Sequence, residues 1–386
     1  MNKGDLGQVP QRLLYLFSGR QQFKGIIGLG NTLEFDISNE EMKKAIKMEF
    51  PKLEHLRTLV KKLNITELGY RECFSIAPVA TDGGENRLIF EPLNLEILRV
   101  VDSEGRERIQ KIIPVSTDPE VFLKMFDEIA VLRRFLERLD TTYENLSYFL
   151  PTKKAEDKYV NVRNVIRNFR DILEWAVLLD IAYEPEKTPI LLLRDGLLRS
   201  ISLKDSPMKA LASSLKQAYQ EKGTLLIGVA KRAKVLNYYS IALGLENKFN
   251  RSYPCFCELP KELEEESYRH ASSWVRRRSF GDLYFVKFSE NREGLILPVE
   301  IPSWLRDRRK EILEYAAWTA SLSFPVIGYP SPLIKAHENA VLTGIEMEYL
   351  ASLLKTRILE LYDESEQEKI LSYIWFKKAL MKEGME

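Results

Sequence analysis

Apolar and polar positions change period several times along the chain, and each change marks a different kind of element. Residues 1–70 read as a mostly helical lead-in; Ser38, with Glu41 three residues on, fits a capping box, Pro51 predicts that this helix stops near Phe50, and a second amphipathic run follows through Leu63. From Phe74 the texture turns to strand. SIAPVATDGG is a short apolar run closing on Asp-Gly-Gly, RLIFEPLNLEILRVVD alternates in part, and KIIPVSTD supplies a third candidate, so an antiparallel meander is expected. Helical spacing returns from Asp118 to Asp180, with Pro119 in a first turn and breaks near Thr142 and Pro151. PILLLRDG (189–196) and TLLIGVAK (224–231) are continuous apolar runs separated by a helix over 205–221, the pattern of buried parallel strands in a βαβ unit.

Residues 246–279 read as an insertion, acidic at Glu262, Glu264, Glu265 and Glu266 and basic at Arg276, Arg277 and Arg278. LYFVKF (283–288) and LILPVEI (295–301) are strand-like, a helix follows over about 306–320, and Ser331 is placed to cap another helix with Pro332 at its first position. Three antiparallel strands followed by αβαβ is the chain order of a ribonuclease H-like core. The expected fold class is therefore α/β with a mixed sheet. The expected organisation is a helical region 1–73, a core over 74–345 with a helical excursion at 118–155, and a helical segment 346–386.

Composition narrows the options. A chain of 386 residues with 57 Lys+Arg against 56 Asp+Glu has a net charge of +1, which excludes strong whole-surface attraction to nucleic-acid phosphates but leaves local basic clusters at Lys231–Lys234, Arg276–Arg278 and Arg306–Lys310. Three cysteines cannot form a disulfide framework in a chain this long, and Gln11 and Arg12 interrupt any secretory pattern, so a cytoplasmic protein is expected. Residues 315–334 carry no formal charge over a bilayer-spanning length, yet Pro325, Pro330 and Pro332 would break a membrane helix. A buried interior segment and no membrane span are expected.

Candidate chemistry centres on carboxylates. Asp82 and Asp195 each precede glycine at what reads as a strand end, where a carboxylate points off the sheet; Asp-Gly after a strand is also a common turn. Glu174 stands alone in a helix that is apolar nearly all round, costly unless paired, either with Arg170 one turn back or with a metal shared with Asp82 and Asp195. Two divalent cations held by such carboxylates activate water and neutralise a phosphoryl transition state. His337 projects from the stripe of Leu333, Ala336, Ala340 and Val341 as a core histidine or an acid/base, and Tyr329 lies just before that helix. Lys231 follows a strand, as a phosphate contact or a solvated charge. The segment 251–280 mixes Tyr253, Phe256, Tyr268 and Trp274 with Arg276, Arg277 and Arg278, a composition suited to DNA, or to packing on the core. Cys255 and Cys257 lack zinc spacing, and neither a P-loop nor a nucleophile elbow is present.

The ordered set VATDGGENRLIFEPL, ILEWAVL, ILLLRDGLLRS, LIGVAKRAK and GYPSPLIKAHENA resembles the NurA nuclease family, from about residue 74 to 345. The resemblance implies a ribonuclease H-like nuclease that uses Mn²⁺ or Mg²⁺ to cleave DNA, working as a homodimer with a hexameric HerA-type translocase in DNA end processing. It implies metal ligation by Asp82, Glu174 and Asp195, and site roles for Tyr329 and His337. Leu197 follows Gly196 where the family often has serine, so that hydroxyl is absent. The alternative is a non-catalytic DNA-clamping or docking subunit of a ring translocase.

Overall fold

The computed structural model of the chain describes residues 40–90, 93–114, 124–150, 162–184, 189–268 and 279–372. Met1–Lys52 and Leu53–Glu386 form two compact units. Helix α1 (Glu40–Lys61) does not stop before Pro51, contrary to the sequence expectation. A proline interrupts one backbone bond at a cost of about 3 kcal/mol. Beyond it, Leu56, Val60 and Leu63 bury in a cluster with Tyr239, Leu243 and Phe285, which favours carrying the helix onward.

The second unit is built on one nine-stranded mixed sheet of order β1-β7-β8-β9-β6-β5-β2-β3-β4. Its first strands are β1 (Thr66–Glu67), β2 (Ala77–Phe90), β3 (Leu93–Asp102) and β4 (Glu107–Pro114), the last three forming the expected antiparallel meander. Helices α2 (Ala130–Arg138), α3 (Tyr143–Leu146) and α4 (Val162–Ala182) precede β5 (Ile190–Asp195), which runs parallel to β2. Helix α5 (Asp205–Lys222) crosses to β6 (Leu225–Val229), parallel to β5. Every residue of β6, and all of β5 but Asp195, is buried, as central parallel strands covered on both faces must be.

Beyond α6 (Lys234–Leu245), the stretch read as an insertion contributes β7 (Cys255–Glu258) to the sheet, followed by α7 (Lys261–Ser267). Strands β8 (Gly281–Lys287) and β9 (Ile296–Pro302) join antiparallel, and a 3₁₀ turn leads to α8 (Arg309–Ser321), α9 (Ser331–Ala340) and α10 (Gly344–Leu359). Alternation along β5 divides the core. Ile190 and Leu192 face a cluster containing α4, whereas Leu191 and Leu193 face one containing α8 and α9.

Three local expectations change. Asp-Gly-Gly does not end β2, since Asp82, Gly83 and Gly84 pair with Val101, Val100 and Arg99 in mid-strand. Ser331 is the first residue of α9, with Pro330 in the cap position. The uncharged segment is only partly interior: Leu322, Phe324 and Ile327 are exposed between α8 and α9. Among the described residues, no helix is long and apolar enough to cross a membrane.

Candidate active site at the centre of the sheet

Two glycines explain how helices reach the middle of β2. Successive strand residues point to opposite faces. A Cβ on Gly83 would stand 2.6 Å from Glu174 Oε1 and 2.9 Å from Arg170 Cγ, both on α4; one on Gly84 would stand 2.2 Å from the carbonyl oxygen of Ala340 on α9. The glycines are therefore close-approach positions on both faces of one strand.

Asp82 leaves β2 on the α9 face. Its Oδ2 lies 2.7 Å from His337 Nδ1, and its Oδ1 accepts from the Gly83 backbone N–H at 2.8 Å. Thr81 pairs with Arg194 in the parallel register, so one residue further Asp82 and Asp195 leave neighbouring strands at the same level and on the same face. Asp195 Oδ2 accepts from Lys231 Nζ at 2.9 Å, and Oδ1 accepts from the Tyr329 hydroxyl at 3.2 Å. Tyr329 is 1% exposed, and burial, reinforced by the negative charge of Asp195, pushes its hydroxyl pKa up. Lys231 Nζ also lies 5.2 Å from the centre of the Tyr329 ring.

His337 differs from the core histidine allowed by its helical stripe. Leu333, Ala336 and Ala340 are buried, but the His337 side chain is 56% exposed and reaches the site from the edge of that stripe; Val341 ends the helix and is exposed. Lys231 is paired with Asp195 instead of being freely solvated.

Glu174 approaches from α4. Its helix is apolar nearly all round, since Ile172, Leu173, Trp175, Ala176, Val177, Leu178 and Leu179 are all buried, and Arg170 Nε, the ion-pair partner the sequence offers, lies 3.4 Å from Glu174 Oε1. Burial raises the Glu174 pKa to about 8, against the opposing pull of the Arg194 charge and with Asp171 adding to the rise. Glu174 and Asp195 both line a cleft of about 320 Å³ between α4 and the loop after β5.

Sequence reading missed the clamp beside them. Asp171, one turn before Glu174, accepts from Arg194 Nη2 at 2.6 Å and from the Ser200 hydroxyl. Arg194 Nη1 donates to the Leu197 carbonyl at 2.9 Å, and the guanidinium lies 4.3 Å from the Trp175 ring centre. Gly196, at φ +120°, leaves room for that guanidinium, since a Cβ would meet Arg194 Nη1 at 2.5 Å. These contacts fix the loop that carries Asp195 into its turn. An Asp–Arg pair 23 residues apart leaves no periodic signal in sequence.

Asp82, Asp195, Tyr329, His337 and Lys231 are thus brought together, with Glu174 reaching in from the opposite face. Arg276, Arg277 and Arg278 lie outside the described residues, as does Trp274. Phe256, in β7, is buried and unavailable for base stacking. Among the described residues, no three His, Cys, Asp or Glu side chains stand around one common point as a ready metal cage. The donor chemistry nevertheless fits a hard divalent cation: the three acids offer oxygen only, and Glu174 occupies space that any side chain at position 83 would fill.

Fold and site together define an α/β protein with a mixed sheet and a carboxylate centre where its parallel and antiparallel strands meet. The chain belongs to the NurA family: the NurA domain matches residues 79–342, more than half of its length. Among solved structures, it is similar to the NurA nuclease from Sulfolobus solfataricus (14% identity, 84% of this chain and 96% of that one, TM-score 0.44). It is also similar to NurA bound to dAMP and manganese (13%, 85% and 99%, TM-score 0.36) and to an endonuclease V from Bacillus subtilis (10%, 81% and 94%, TM-score 0.29). No curated protein sequence matches the chain.

Proposed function

We propose that this protein is a divalent-metal-dependent deoxyribonuclease on a ribonuclease H-like core. The observation that carries the reading is the placement of Asp82 and Asp195, each one residue beyond the paired Thr81 and Arg194 of adjacent strands, with Tyr329 and His337 docked on them. The strand order β4-β3-β2-β5-β6, with the first three antiparallel and the last two parallel to β2, supports the core assignment.

Asp82, Asp195 and Glu174 would hold Mn²⁺ or Mg²⁺, which when bound supplies an activated water and neutralises charge on the phosphoryl group. The chain's own residues prepare that site. Tyr329 and Lys231 orient the Asp195 carboxylate, and Lys231 balances its charge in the absence of a cation. His337 holds Asp82 and, being half-exposed, is placed to move a proton at the departing 3′ oxygen or to contact the phosphate. The clamp of Asp171, Arg194 and Ser200 keeps the turn after β5 from shifting.

Action on DNA ends with a HerA-type hexameric translocase, as a homodimer, completes the proposal. Ile345, Tyr349 and Leu353 recur every four residues along α10 and are 82%, 63% and 43% exposed, an apolar row suited to cover by another protein. The nuclease reading is tested with labelled single-stranded DNA and Mn²⁺. Cleavage is expected from the wild type and not from Asp82→Ala; cutting by both, or by neither, would defeat it.

A further inference from the structure

We infer that the cleft beside Glu174 is a phosphate subsite for the DNA strand, gripped by Arg167 with Arg170 behind it. The inference rests on the nuclease reading and deepens it. Four guanidinium groups line this one cleft, those of Arg167, Arg170, Arg194 and Arg199. Two are committed to the protein. Arg194 is clamped by Asp171 and the Leu197 carbonyl, and Arg199 pairs with Glu264 and the buried Glu300. Arg170 is held loosely, with Glu85 at 3.6 Å and Glu174 at 3.4 Å, and its Nε is shut from water without a hydrogen-bond acceptor. Arg167 is exposed and makes no ion pair among the described residues.

Placement on α4 gives this charge a direction. Arg167, Arg170 and Glu174 fall at i, i+3 and i+7, one face of the helix, so the exposed Arg167 stands at the outer end of a row that leads inward to the carboxylates. Seven residues at the helical rise span about 10 Å. That offset is too long for Arg167 to hold the phosphate being cleaved and suits a neighbour along the strand. The lining between is compatible with a polyanion: the Asp171 carboxylate is already occupied by Arg194 and Ser200, and Ile201, 54% exposed, offers an apolar surface to a sugar or base. An exposed arginine fork with no carboxylate partner among the described residues, beside a second weakly paired one, is the donor arrangement that recognises phosphate.

The test uses the full chain and a fluorescent single-stranded oligonucleotide. Binding is measured in EDTA across a salt series, and cleavage in Mn²⁺. Arg167→Ala is expected to lower the slope of log K against log salt by about 0.7, one phosphate contact on a single strand, and to raise KM about 5- to 10-fold with kcat within about twofold. Arg167→Lys should restore the slope. Arg357→Ala, on the exposed side of α10, should change neither quantity. Because Arg167 is exposed and makes no ion pair among the described residues, its replacement is expected to leave the circular dichroism spectrum unchanged. A wild type that cuts DNA while Arg167→Ala keeps both its slope and its KM overturns the subsite and spares the nuclease reading. A wild type that binds with the Arg167-dependent slope yet never cuts defeats the nuclease reading and leaves the subsite standing.

Discussion

The two faces of β2 hold acids under opposite conditions. On the α9 face, both oxygens of Asp82 and both of Asp195 have close partners: a backbone N–H and His337 for the first, Lys231 and Tyr329 for the second. On the α4 face, Glu174 has one long contact to Arg170 and a pKa raised to about 8. The difference shows that burial with a single long contact is what raises the Glu174 pKa, whereas the two aspartates are each held in place by two partners.

The strongest way to break the comparison is to empty the better-supported face. Asp195→Ala strands the Tyr329 hydroxyl and Lys231, and cleavage of labelled DNA should fall by about 10³-fold or more, with the circular dichroism spectrum unchanged. Next come the two glycines. Gly84→Ala drives a methyl group into the backbone of Ala340, which cannot yield, and should cost about 3 kcal/mol in urea unfolding; Gly83→Ala meets the movable end of Glu174 and should cost about 1 kcal/mol. Equal losses would mean that the faces are equally rigid.

A pH series sharpens the contrast in charge. The native Glu174 pKa lies above the ordinary 4.5, so the folded state binds the extra proton between about pH 4.5 and 8. Stability from this group is therefore full below about 4.5 and is lost as pH rises through 8. In EDTA, Glu174→Gln should gain on the wild type across that window, by on the order of 2 kcal/mol, read as the difference in urea midpoints. A flat difference would show that Glu174 is already compensated. The smallest effect is expected from Tyr329→Phe, which removes one of two donors to Asp195 and should slow cleavage about 10-fold while changing stability by about 1 kcal/mol.

Much of this arrangement was legible in the residues, for reasons that differ by element. ILLLRD and LLIGV could be placed because fully buried parallel strands have no polar face to write into the sequence. Glu174 stood out because a charge inside an apolar-all-round helix has few inexpensive explanations. Asp-Gly-Gly misled as to position, since glycine marks a turn and a close approach alike, and only the arrival of α4 and α9 distinguishes them. His337 could be read as core or as an acid/base because helical spacing gives the direction of a side chain but not how far its neighbours extend over it. Arg194, Asp171 and Ser200 were not legible: their contacts join elements through space.

The contacts of Tyr329 and His337 also have a consequence for synthesis. The acids are encoded by residue 195, but their partners follow 134 residues after Asp195 and 255 after Asp82. A chain still leaving the ribosome thus exposes its carboxylates long before the segment that secures them exists. The contacts to Asp82 and Asp195 therefore form only after the segment carrying Tyr329 and His337 has been made.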